Sequence, residues 1–435
     1  MPEAESQPEE VSSGYANYVL GVLFLVYVFN FVDRQVLSIL IQPIKEDLGV
    51  SDTAMGLLAG FAFALFYTAA GIPIARWADT GSRRLVIVFS LTVWSAMTAA
   101  SGLARSFAQL ALARIGVGIG EAGGTPPSHS LISDYFPPER RATALALYGN
   151  GIYIGSGLGI MAGGYLLTTF GDWRTAFFVV GLAGLPLALL VGLSVRELPR
   201  GASEQAPVPQ EAVGFWQVFR FLFARRSFAW LMVGASCQAL FGYGILTWGA
   251  VFLGRVHGMP WAEVAKWFGP TIMLGGCVGV TFGGWLADRL GARDARWYMR
   301  MPALVSVAML PFALGFLLLG DPKTALASFV PAYAISNMYV GSLWSTTQNL
   351  ARPNMRAMAS AVQLLILNVV GLGAGPTAVG IMNDLLTPSY GDEAVRYSLV
   401  VVTLIGGMAG IFFWIGSATL REDLAARDAG ALETR

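Results

Sequence analysis

Apolar stretches of about 20 residues recur from one end of this 435-residue chain to the other, and that is the length a helix needs to cross the hydrocarbon core of a bilayer. No water is available there to bond an open backbone, so such runs are committed to helices that satisfy their own peptide groups. Twelve spans are predicted, near 17–40, 54–75, 85–103, 107–132, 142–167 and 175–195, then near 227–253, 266–286, 299–319, 324–350, 357–382 and 395–420. The expected fold class is an all-α membrane protein. Charged residues make up only 13% of the chain, too few to clothe a water-soluble surface of this size.

The same composition excludes several kinds of protein. A net charge of +1, with basic residues scattered through short loops, leaves no patch for nucleic acid. Cys237 and Cys277 both fall inside predicted spans and read as packing residues rather than a disulfide or thiolate site. Only two histidines occur, His129 and His257, without a metal-ligand spacing, so neither a metal nor another cofactor is expected. The N-terminal residues Glu3, Glu5, Glu9 and Glu10 are acidic, which reads the first apolar run as a retained span and not a cleaved signal peptide.

Basic residues also orient the bundle. With both termini placed in the cytoplasm, 19 of the 28 Lys and Arg residues lie on the cytoplasmic side, 7 lie outside, and Arg34 and Arg114 lie within spans. Between the sixth and seventh spans runs a longer polar connection, 196–226, containing Pro199, Gly201, Pro207 and Pro209 and then the amphipathic "FWQVFRFLF". The expected organisation is therefore a polar tail 1–16, a six-helix half 17–195, this linker, a second six-helix half 227–420 and a tail 421–435. An internal repeat supports two halves about a central cavity. "ARWADTGSRR" follows the second span and "GGWLADRLGAR" the eighth, so that Asp79 and Asp288 correspond, and P-x-x-R-A-x-A recurs with Arg141 and Arg356 before the fifth and eleventh spans.

"RIGVGIGEAGG", residues 114–124, has the spacing G-x-G-x-x-G at Gly118, Gly120 and Gly123. A dinucleotide fingerprint needs a strand before it and a helix opening at the glycines. Here "SFAQLALA" begins a membrane helix and the glycines continue it, so their role is close helix packing. Arg114 and Glu121, seven residues apart, share a helix face. A charge at mid-bilayer costs at least ~2.5–3.5 kcal/mol, so each should face a partner or a cavity. Asp33 lies at a depth that permits pairing with Arg114, and Asn30 is on roughly its face. Asp33 and Glu121 are read as alternative partners of Arg114: a carboxylate from which the arginine moves away takes up a proton. Glu121, the deeper, is the first choice of proton site, and the alternative is a static ion pair orienting spans one and four. Arg34 points about 100° from Asp33, toward either headgroups or a substrate phosphate. His129 is a structural or interfacial residue or a proton relay.

"GGWLADRLGAR" resembles the G-x-x-x-D-R-x-G-x-R loop of the major facilitator superfamily through Gly284, Asp288, Arg289, Gly291 and Arg293. The first-half copy departs from it at Ala75, Thr80 and the displaced Gly81, keeping Asp79, Arg83 and Arg84. The resemblance implies that these residues, with Arg141 and Arg356, latch the cytoplasmic side; otherwise the arginines only set topology. "NFVDR", "RIGVGIGEA", "GSGLGIMAG", "GDWR" and "VRELPRG", all within the first 201 residues, resemble the spinster branch. That branch implies movement of lysophospholipids or sphingoid phosphates, with proton coupling. "GGTPPSHS" departs from it.

The second half offers no charges at corresponding depths, only Tyr243, Trp248, Asn337, Trp344, Gln348, Gln363 and Asn368, with Tyr153 contributed by the fifth span. A cavity charged on one side and amphipathic on the other suits a molecule with a small polar head and an apolar tail, although Trp and Tyr also serve as interfacial anchors. The reading is a secondary active transporter using alternating access, and not an enzyme. Its expected partners are an amphipathic small molecule, protons and membrane lipid, and it is expected to be a monomer of the bacterial inner membrane. The alternative is a carrier of small organic anions or drugs using Arg114; superfamily antiporters carry Gly-Pro where this chain has Gly159 and Ile160. A membrane-embedded lipid enzyme would need a nucleophile and base converging at one depth, and no such motif is visible.

Overall fold

The computed structural model describes residues 12–203 and 213–428, and among them every regular element is a helix. The acidic N-terminal residues, Pro207, Pro209 and the last seven residues lie outside the described residues. Twelve long helical stretches match the twelve spans. Helices 1 to 3 are Ser13–Leu48, Asp52–Thr80 and Arg83–Ser101. Helix 4 comprises Phe107–Glu121 and Thr125–Tyr135, and helices 5 and 6 are Pro138–Phe170 and Trp173–Ser194. The linker helix Phe215–Phe223 precedes helix 7, Arg226–His257, helix 8, Trp261–Gly291, and helix 9, Trp297–Leu318. Helix 10 comprises Pro322–Asn337 and Tyr339–Leu350; helix 11 runs from Arg356 to Tyr390; helix 12 is Ala394–Asp428.

Short loops between such helices require local caps, because the first amides of each helix lack intrahelical partners. Ser51, Ser82, Ser106 and Asp321 supply them, each side chain accepting from the amide three residues on. Gly258 closes helix 7 at φ 61°, which a residue with a Cβ adopts only under strain.

Three features depart from the hydropathy windows. Helix 1 continues to Leu48, beyond the apolar run, because Gln42 and Lys45 find polar partners there. Helix 4 breaks at residues 122–124, since Pro126 and Pro127 cannot donate to the preceding turn. Helices 2 and 11 each contain a π-helical stretch, Leu58–Ala62 and Asn368–Ala374, wound wider than an α-helix and common at functional sites.

By packing, the chain falls into two units whose border does not follow the linker. Unit 1 contains residues 1–34, 66–156 and 174–209; unit 2 contains 35–65, 157–173 and 210–435. Helices 1, 2 and 5 thus each contribute one end to each unit. In unit 2 the linker helix seats Val218 and Leu222 in a core with Phe228, Leu231 and Phe413, while Trp216 stays exposed, the expected behaviour of an amphipathic surface helix. Large exposed apolar side chains such as Leu193 and Leu385 are ordinary for helices whose outer face meets lipid.

Candidate functional site

Lipid is as apolar as a protein core, so helices in a bilayer hold together by close packing and polar contacts. In unit 1 the glycines of residues 114–124 do this work. A Cβ on Gly120 would come within 2.7 Å of the Trp94 amide, and one on Gly123 within 2.1 Å of Ser90 Oγ. Helix 4 therefore lies against helix 3, with Arg114 and Glu121 held on buried faces.

Around them the structure gathers Asn30, Asp33, Arg34 and Thr98, all of unit 1. Arg34 Nε donates to Glu121 Oε2 at 2.5 Å, and its guanidinium lies over the rings of Phe31 and Tyr67 at 4.9 and 5.0 Å. Thr98 Oγ1 donates to Asp33 Oδ2 at 3.2 Å, and Arg114 Nη1 to the Asp33 carbonyl at 3.3 Å. Arg114 also interacts electrostatically with both carboxylates, and Asn30 neighbours Glu121. Asp33 is 1% exposed and its Oδ1 accepts no hydrogen bond among the described residues. The structure thus assembles the sequence-predicted trio and adds Arg34, which reaches Glu121. Because Glu121 ends the first segment of helix 4, a cation there also meets the negative end of the helix dipole. His129 sits edge-on to Tyr148, itself stacked on Tyr27, and Tyr153 is buried. Among the described residues no three His, Cys, Asp or Glu side chains converge on a metal position.

At the linker-side end of unit 1, Arg83 is the hub. It is 1% exposed, bonds Asp134, and donates to Glu197 at 2.7 Å, Ser130 at 2.9 Å and the Leu198 carbonyl at 2.6 Å. The Arg84 amide donates to Glu197 at 2.8 Å, Arg200 to the carbonyls of Ala78 and Gly81, and Arg141 to Ser203. Burial pushes the Glu197 carboxyl up, but the Arg84 amide and the Arg83 and Ser82 side chains outweigh it and hold it below the usual range. Asp79 is exposed at the end of helix 2. The corresponding loop of unit 2 is built differently. Asp288 accepts from Tyr298 at 3.4 Å and Arg289 lies over Trp285, while Arg293 and Arg356 are exposed. Asp294 is held at about 2, first by the Arg296 amide and then by the side chains of Arg296 and Arg421.

The expected substrate-facing polar residues of unit 2 are largely engaged. Trp248 is fully buried and donates to the Pro376 carbonyl at 2.9 Å; Gln363, also fully buried, accepts from Thr347 at 2.5 Å. Asn337 donates to the Tyr333 carbonyl at 2.8 Å and Gln348 to Ser360 at 2.7 Å. Tyr243, Trp344 and Asn368 are half-buried, and Asn368 opens the π-helical stretch of helix 11.

Sequence reasoning did not find Asp134, Glu197 and Arg200. The signal for Glu197 and Arg200 was present in "VRELPRG", directly after span six, but the partners of that segment, Asp134 among them, are 60 or more residues away. It also missed Lys45, Asp52, Arg255 and Asp384, which read as ordinary loop charges.

A family model described as Major Facilitator Superfamily matches residues 23–376. The chain is 36% identical over 406 residues to an MFS-type efflux pump of Mycolicibacterium smegmatis, covering 93% of each, and 27% identical to protein spinster homolog 3 of Danio rerio, covering 97% of this chain and 89% of the relative. Among solved structures, a bacterial homolog to the human lysosomal transporter Spinster, in an inward-facing and unoccupied conformation, superposes with a TM-score of 0.86 at 32% identity, covering 95% of this chain and 99% of that one.

Proposed function

The chain belongs to the Major Facilitator Superfamily and is a spinster-like multi-pass membrane transporter, and from that premise we propose a proton-coupled carrier of amphipathic, lipid-like substrates that works by alternating access. The observation that carries the reading is the buried cluster Asp33, Arg34, Arg114 and Glu121. Two carboxylates and two guanidiniums share one site away from water, so that adding a proton to Glu121 frees Arg34, and moving Arg34 favours that proton. Coupling of this kind needs only a charge that changes and a helix packing that responds. In this reading the halves are 17–195 and 227–420, both termini face the cytoplasm of a bacterial inner membrane, and the carrier is a monomer. The polar head of a lysophospholipid or sphingoid phosphate is taken by Asn30 and the arginines of unit 1; Tyr153 of unit 1, and separately Tyr243, Asn337, Trp344, Gln348 and Asn368 of unit 2, are the further candidates for substrate contact. The Arg83 network and the Asp288 loop control the cytoplasmic side.

A second reading is favoured by the efflux pump that is 36% identical: export of small organic anions or drugs, with Arg114 as the anion contact. The test is flux of labelled lysophospholipid in proteoliposomes, with and without an imposed pH gradient, for wild type and Glu121→Gln. Gradient-driven flux that the substitution abolishes is the expected result, with the lipid recovered at unchanged mass. A folded wild type that moves organic anions but no lysolipid overturns the lipid assignment, and flux indifferent to both gradient and substitution overturns the coupling.

A further inference from the structure

On the membrane face opposite the linker, unit 2 contains a second buried charge cluster with a different construction. Asp52, the first residue of helix 2, is fully buried. Its carboxylate receives Arg255 of helix 7 through both terminal nitrogens at 2.5 and 2.7 Å, Lys45 of helix 1 at 2.7 Å and the Asn383 amide of helix 11 at 3.0 Å. Arg255 Nε goes to Gln42 at 2.6 Å, and its guanidinium lies 5.9 Å from the Trp248 ring. The neighbouring Asp384 turns the other way. Its two carboxylate oxygens accept from the backbone amides of Asp52 and Thr53 at 3.1 and 2.7 Å, so helix 11 caps a helix more than 300 residues earlier in the chain.

Below this cap the two helices touch backbone to backbone. A Cβ on Gly56 would meet the Pro376 carbonyl at 2.6 Å, and one on Gly60 the Gly373 carbonyl at 2.5 Å. Thr377 Oγ1 donates to the Gly373 carbonyl at 2.8 Å and lies 3.2 Å from the Gly56 carbonyl, while the Phe61 amide donates to Thr377 Oγ1 at 3.3 Å. Gly60 and Gly373 both belong to the π-helical stretches, so the irregular turns of helices 2 and 11 lie at their mutual contact.

We propose that Asp52, Arg255, Lys45 and the Asn383–Asp384 pair form a latch that holds helices 1 and 2 against helices 7 and 11, and that its release is the step that opens the outer side. The proposal rests on the alternating-access reading above. Lys45, Asp52, Arg255 and Asp384 sum to zero charge, and each charge has a short-range partner. Neutralising Asp52 leaves Arg255 uncompensated in the closed arrangement, neutralising Arg255 leaves the buried Asp52 with Lys45 as its one cation, and neutralising Asp384 weakens the cap on helix 2, whereas in an opened arrangement water solvates the freed groups. Single neutralisations therefore favour opening, and neutralising Asp52 and Arg255 together restores part of the closure.

The measurement is the distance between spin labels at Val50→Cys and Ser389→Cys, which flank the seam within unit 2, in a Cys237→Ser, Cys277→Ser background reconstituted in lipid. Wild type should give mainly one short distance. Asp52→Asn and Arg255→Gln should each raise the ratio of long to short distances at least about tenfold, Asp384→Asn less, and the Asp52→Asn, Arg255→Gln double variant less than either single variant. Asp384→Glu, which keeps the capping charge, should stay near wild type. Single variants that fold, as judged by monodisperse elution, and retain the wild-type distances overturn the latch. Failure of the transport reading is separate: wild-type protein then shows no flux, while the distances still report whether the latch holds.

Discussion

The Asp52 cluster of unit 2 and the Asp33 cluster of unit 1 differ in how completely their polar groups are met. In unit 2 the Asp52 carboxylate has four donors at 3.0 Å or less. In unit 1 the Asp33 carboxylate has a 3.2 Å bond from Thr98 on one oxygen, and no hydrogen bond from the described residues on the other. A saturated ionic cluster resists any change of charge, because every proton added breaks a strong bond. An under-saturated one leaves a buried carboxylate oxygen without a donor, so its charge is held less firmly. On the proposed reading, the first cluster holds and the second switches.

Substitutions can break or sharpen that contrast. The largest effect is expected at Asp52: Asn leaves Arg255 and Lys45 without their carboxylate, which costs about 3–5 kcal/mol in buried surroundings and should appear as a lowered thermal midpoint in detergent. Asp33→Asn is expected to do the opposite of this pattern. Gradient-driven flux should fall by about 100-fold, equivalent to ~2.7 kcal/mol, while the midpoint moves by no more than about 2 °C, roughly half a kcal/mol; a large loss of stability would instead make Asp33 a structural residue like Asp52. Gly123→Ala tests the packing that places the unit 1 cluster. Its methyl would meet Ser90 Oγ at 2.1 Å and Ile74 at 2.8 Å, a crowding of about 1–3 kcal/mol that Ser90→Gly should relieve.

The smallest effect concerns Glu197, whose carboxyl burial raises and the Arg84 amide, Arg83 and Ser82 lower, with a net fall. A depressed carboxyl stabilises the fold fully above the ordinary glutamate value of 4.5 and loses that contribution as pH falls through the folded value. Glu197→Gln should therefore flatten the acid arm of a stability profile below pH 4.5 by less than about 1 kcal/mol, since the side chain is 30% exposed. A profile unchanged by the substitution would show that Asp134, Ser130 and the Leu198 carbonyl hold Arg83 without Glu197.

Much of this protein was legible without coordinates. Twelve apolar runs imply twelve helices because a backbone in hydrocarbon has no alternative, and Arg114 and Glu121 are conspicuous because a charge in such a run demands a reason. The loop repeat around Asp79 and Asp288 was equally plain. What could not be read was partnership. Arg34 reaches Glu121 across 87 residues and Asp384 caps helix 2 across more than 300, distances over which periodicity carries no information. Nor did the repeat foretell that Arg83 becomes a buried hub while its counterpart loop builds on the half-buried Asp294.

The sequence by itself determined the solvent of this chain, its helices and which charges need explanation, since these follow from composition and local spacing. Tertiary structure alone decided which charges meet, where two helices wind into π turns to touch, and that helices 1, 2 and 5 divide between two packing units. Those outcomes depend on the side-chain geometry of segments far apart in the chain, which only the packed bundle brings into contact.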